Sequence, residues 1–148
     1  MKRLRLALLV AVAVFASSVG VAQAAAPRIV IISGKPLTKQ VVLSHWESIF
    51  SVVQEIARSR AASRAQLADR PRLKVSMFWG PVWNDYLASG KPASALRPRD
   101  ADQFGSFYPA WQRKPAMIDL PWAGRWPRLV PAKALTILKR YSVPIRLP

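Results

Sequence analysis

The chain has 148 residues, with 23 Lys plus Arg against seven Asp plus Glu, a formal net charge of +16, one histidine and no cysteine. Without cysteine there is no disulfide, no thiol chemistry and no lipid anchor on an N-terminal cysteine, and one imidazole falls short of the several nitrogen or sulfur ligands of a zinc or copper site. No metal or cofactor is expected, and the length suits one domain that buries roughly two thirds of the surface its open chain exposes.

Lys2, Arg3 and Arg5 precede an uncharged run from Leu6 to Ala16, and small residues follow as far as Ala24-Ala25-Ala26. That order is the signature of a secretory signal peptide, cut after Ala24 or Ala26. Residues 1–24 are therefore assigned to the signal and residues 27–148 to one globular domain. The expected location is secreted or periplasmic, as for bacterial export. The alternative is a membrane anchor left uncleaved, since Leu6 to Ala26 reaches about the length of a span; Ser17, Ser18, Gly20 and Gln23 weaken that reading. The domain keeps 20 basic residues against seven acidic ones, a net of +13. Such a surface attracts polyanions, whether lipid headgroups, acidic glycans or nucleic acid, although charge alone also serves solubility. Arginine outnumbers lysine by 15 to eight, which suits bidentate contacts to phosphate or carboxylate.

Arg28 to Ser33 is a continuous β-branched run, read as a strand buried on both faces. Gly34-Lys35-Pro36 breaks it, and Gln40 to Leu43 is either a second strand closing a hairpin or an extended lead into a helix. Ser44-His45-Trp46-Glu47 has the form of a capping box, so a helix is expected from His45, with Trp46, Ile49, Phe50, Val53, Ile56 and Ala57 as its apolar stripe. The following stretch carries Arg58, Arg60, Arg64, Arg70 and Arg72 without an apolar period. It reads as a helix end and solvated linker, or as a polyanion-binding patch.

Between Arg72 and Trp83, the residues Leu73, Val75, Met77 and Trp79 alternate with Lys74, Ser76 and Phe78, the period of a strand with one face on a core. Gly80-Pro81 stops it. Trp79 and Trp83 then either close the core or line a site at the strand end. Trp83 to Leu87 reads as one or two helical turns, and Gly105 to Ala110 and Pro115 to Leu120 as two strands joined through Trp111-Gln112-Arg113-Lys114. Asp119 stands inside the second, on a solvent face or held by an arginine. Pro121 to Arg128 is a turn bearing Trp122, Arg125, Trp126 and Arg128. It either folds its tryptophans back onto the sheet or presents them beside the arginines to stack on bases or sugars. Pro131 opens a last helix with Ala134, Leu135, Leu138 and Tyr141 inward, and Val143 to Leu147 reads as a final short strand.

Catalytic motifs are sparse. Ser33-Gly34-Lys35 lacks the spacing of a phosphate loop, no nucleophile elbow accompanies His45, and the acidic residues show no paired geometry. The order of strand, helix, strand, short helix, hairpin and final helix resembles that of thioredoxin-like domains, with Pro109 near where such folds place a proline. The Cys-x-x-Cys pair is absent and the residues between Ser33 and Ser44 are extra, so the resemblance implies no activity.

The expected fold is α+β or α/β, a single small domain with a mixed sheet of four to six short strands packed by two main helices. The leading functional expectation is a non-catalytic binding domain of the cell envelope or exterior. It would engage an anionic partner through Arg60, Arg64, Trp79, Trp83, Trp122, Arg125, Trp126 and Arg128. The alternatives are a small exported hydrolase with its site near Trp79, Trp83 and Asp85, and a structural envelope protein without a ligand.

Overall fold

The alternating and β-branched runs form six strands: β1 (Ile29–Ser33), β2 (Val41–Leu43), β3 (Leu73–Phe78), β4 (Gln103–Tyr108), β5 (Met117–Asp119) and β6 (Arg128–Leu129). The helices are α1 (Trp46–Arg58), α2 (Pro81–Ala88) and α3 (Ala132–Arg140). The computed structural model describes residues 26–79, 81–92 and 95–148. The signal peptide read at residues 1–24 lies outside them. No described helix is long and apolar enough to cross a membrane.

The strands form one sheet in the order β2-β1-β3-β4-β5-β6, and every ladder between them is antiparallel. The domain is α+β. The element order read from the sequence is kept, with β2 added before α1, but the sheet expected to be mixed is antiparallel throughout. The cause is β2. By reversing the chain between β1 and α1, it sends the strand after α1 back antiparallel to β1.

One face of the sheet carries the main core. Ile32, Leu43, Leu73, Val75, Met77, Phe107, Ile118 and Leu120 meet Ile49, Val52 and Ile56 of α1 and Ala134 and Leu138 of α3. Lys133 of α3 reaches Glu55 of α1 at 3.0 Å. The buried stripe of α1 is rotated from the one expected. Val52 is inside, whereas Ala57 is exposed and Trp46 stacks on Phe50 at the margin.

The opposite face has a second cluster, in which Ile29, Ile31, Phe78 and Leu96 are covered by Val82, Trp83 and Tyr86 from α2. Ser76 and Phe78, read as the outward side of β3, are therefore fully buried.

Ser44 does not cap α1. His45 is the N-cap, in extended conformation and without a side-chain cap bond, because the chain comes straight from β2. The real capping box lies in the supposed linker. Ser63 Oγ accepts from the Ala65 N–H at 3.2 Å and Gln66 Oε1 from the Ser63 N–H at 3.1 Å, opening a 3-10 turn over Arg64–Leu67. We expect Ser63→Ala to lower the unfolding free energy by about 1 kcal/mol. Ser44→Ala should stay within about 0.5 kcal/mol of the parent. Urea denaturation compares the two, and equal losses would disprove the difference.

The rest of that segment wraps the sheet. Ala61 bridges Arg128, the Leu129 N–H donates to the Arg60 carbonyl at 3.0 Å, and the Ala62 N–H donates to the Pro127 carbonyl at 2.8 Å. The edge of β6 is thereby covered, as unpaired strand edges generally are. Residues 59–72 thus pass from α1 on one face, around that edge, to β3. The final strand expected at Val143 to Leu147 shrinks to a parallel bridge between Ala110 and Arg146.

Candidate functional site

Beyond β5 the chain makes a 3-10 turn over Pro121–Ala123 and leaves it through Gly124 at φ +105°, a conformation that a residue with a Cβ rarely adopts. That turn divides the tryptophans. Trp122 packs on the main core, its indole N–H 3.4 Å from Met77 Sδ. Trp126 points outward and is 49% exposed, with the Arg125 guanidinium 5.8 Å from its ring centroid, within cation–π range.

The wrapping segment brings two further arginines to this turn. Arg64 donates from Nη2 to the Arg125 carbonyl at 3.1 Å, and its Nη1 lies 3.4 Å from the Asp119 carboxylate. Asp119 is thus a half-buried carboxylate beside an arginine. The Arg64 side chain is still 59% exposed, so its pairing leaves donor capacity for a ligand. Arg64, Arg125 and Trp126 thus meet at this turn beside the Asp119 carboxylate, with Arg60 exposed on the same wrapping segment.

The remaining predicted residues belong elsewhere. Arg128 is spent on the fold: its Nε donates to the Ala123 carbonyl at 3.1 Å and its Nη1 to the Ser59 carbonyl at 2.7 Å, tying the turn to the end of α1. Trp79 packs against the main core, and its backbone N–H donates to Asp102 Oδ2 at 2.8 Å. Trp83 stacks on Tyr86 in the second cluster, with ring centroids 5.9 Å apart. Trp79 and Trp83 therefore sit on opposite faces of the sheet. Asp85 lines a surface groove with Tyr86, Lys91, Arg97 and Asp100 that includes neither tryptophan.

His45 is exposed at the start of α1, 3.4 Å from the Ser48 hydroxyl. Among the described residues, no group of three or more His, Cys, Asp or Glu side chains could hold a metal ion. A void of about 40 Å³ lies between α1 and the sheet, lined by apolar side chains that include Ile49, Val75, Met77 and Phe107. It lacks the polar partners an ordered water requires and is a packing void.

Arg70, expected in the basic patch, is buried at 7% exposure. Burial pushes its pKa below the ordinary arginine value, and Tyr108 acts in the opposite direction. The sequence does carry one signal for the position of Arg64, the capping-box spacing Ser63-x-x-Gln66, which fixes the turn that bears it. Comparison with protein families, with curated proteins and with solved structures finds no match.

Proposed function

We propose that this protein is an exported, non-catalytic binding domain that holds an anionic partner on the surface formed by Arg60, Arg64, Arg125 and Trp126. The observation that supports this is convergence. Two basic segments about 60 residues apart in the chain are joined by the bond from Arg64 to the Arg125 carbonyl, beside a half-exposed indole. Guanidinium groups bind phosphate or carboxylate through paired donors, and an exposed indole adds stacking on a base or sugar. Export rests on the basic, apolar and small-residue order of the N-terminus.

The test is binding of the purified protein to anionic lipid vesicles, an acidic glycan and single-stranded DNA, each at low and physiological salt. Binding to one class should survive physiological salt. The pair Arg64→Gln and Arg125→Gln should weaken it at least tenfold; for single-stranded DNA it should also flatten the slope of log affinity against log salt by roughly 1.4, about 0.7 per lost phosphate contact. Trp126→Ala should weaken binding without changing that slope. Unchanged binding by the double variant would sink the proposal.

A further inference from the structure

We propose a second, separate site for a small phosphate monoester that carries a ring, formed by the hairpin after β4 and the C-terminal tail. Trp111 and Lys114 exchange both backbone hydrogen bonds, at 3.1 and 2.8 Å, so Gln112 and Arg113 form the two-residue tip of a tight hairpin. Both tip residues have positive φ, +45° and +67°. Such tips favour Asn-Gly, since two residues with φ above zero are needed. Here both positions carry long side chains, and a locally disfavoured conformation that persists points to use of the residue held in it.

The tail then closes the site. The Ala110 N–H donates to the Ile145 carbonyl and the Leu147 N–H to the Ala110 carbonyl, each at 2.9 Å, which fixes Arg146 opposite the hairpin. Arg113, Lys114 and Arg146 thereby line one cavity of about 500 Å³ with Trp111, Pro115 and Leu147. That volume is within the range of small-molecule sites. Among the described residues no carboxylate forms an ion pair with any of the three cations.

The ligand class follows from these groups. Three cations in one concavity exceed what a single carboxylate neutralises and match a phosphate dianion, whose oxygens accept from both guanidinium groups and the ammonium. The indole of Trp111 supplies a face for the ring of the same ligand. Lys114 lies 5.8 Å from the centroid of that indole, at the outer limit of a cation–π contact, so little holds it away from an anion.

The experiment is a titration of the purified protein with glucose 6-phosphate at physiological salt, followed through backbone amide chemical shifts, with inorganic phosphate and glucose in parallel. Shifts should concentrate in residues 110–115 and 145–147. Inorganic phosphate should bind several-fold more weakly, and glucose should leave the spectrum unchanged. The pair Lys114→Gln and Arg146→Gln should weaken binding at least tenfold. Arg113→Gly is the informative single variant, because glycine suits the turn. It should keep the melting temperature and weaken binding at least fivefold. The pair Arg64→Gln and Arg125→Gln should leave this titration unchanged, which separates the site from the surface proposed above. Shifts spread over all basic surfaces, or parental binding by Arg113→Gly and by the Lys114→Gln, Arg146→Gln pair, would overturn the assignment.

Discussion

Replacing Arg70 with alanine is expected to lower the unfolding free energy by about 3 kcal/mol, through the loss of hydrogen bonds from a buried cation to carbonyls left without other donors. For a domain of this size that is a fall in melting temperature of roughly 10 °C. The guanidinium donates from Nη2 to the Pro109 carbonyl at 2.8 Å and the Pro115 carbonyl at 2.6 Å, and its Nη1 lies 3.1 Å from Met117 Sδ. It therefore joins the two ends of the loop that carries the Trp111–Lys114 hairpin. Among the described residues no carboxylate pairs with it, so carbonyl dipoles compensate the buried charge. Arg70→Met keeps most of the stem volume and removes the donors. Its expected loss is about 2 kcal/mol, less than for alanine because the packing survives. Thermal denaturation followed by circular dichroism reads both. A methionine variant as stable as the parent would show that the carbonyls find other donors and that Arg70 contributes packing alone. Because Arg70 positions the hairpin, either variant should also weaken glucose 6-phosphate binding at residues 110–115.

The burial of Arg70 is not legible in the sequence. Its segment has no apolar period, and an arginine between an aspartate and a proline reads as solvated. What draws it inward is a demand for donors made by Pro109 and Pro115, some 40 residues further along, and periodicity cannot register such a demand. The same holds for the candidate surface. Arg60, Arg64, Arg125, Trp126 and Arg128 are visible in the sequence as basic and aromatic residues. Which of them is free depends on carbonyl geometry: Arg128 meets the carbonyls of Ser59 and Ala123, whereas Arg64 keeps an exposed side chain.

Periodicity does carry the regular elements. β1, β2 and β3 form where β-branched or alternating residues run, and α1 and α3 form where apolar residues recur at helical spacing. It fails where a remote element changes the environment. The far end of β3 has an outward face only until α2 and Leu96 cover it, so Ser76 and Phe78 end up buried. Local cap chemistry is similarly ambiguous. Ser44 and Ser63 each stand three residues before a Glu or Gln, and the path of the preceding chain decides which one caps.

Gly105→Ala is expected to cost about 2–3 kcal/mol, the upper part of the range for overpacking a filled site. Gly105 lies in β4 opposite Val75 and on the core side of the sheet. β5 ends at Asp119, and Leu120 turns across Gly105 into the core, where it is 4% exposed. A Cβ on residue 105 would stand 2.7 Å from the Asp119 carbonyl oxygen and closer still to a methyl group of Leu120. The glycine therefore serves a close approach of backbone to backbone, a known reason for glycine inside a strand. The two clashes can be separated. Leu120→Ala in the Gly105→Ala background removes the side-chain obstacle and leaves the carbonyl, so it should not restore stability; recovery to the level of Leu120→Ala alone would place the whole effect in the side chain. The displaced backbone also carries Asp119, which neighbours Arg64, and leads into the turn that presents Arg125 and Trp126. A Gly105→Ala protein that still folds should accordingly bind the anionic partner of that surface more weakly, while the amides of residues 110–115 continue to respond to glucose 6-phosphate.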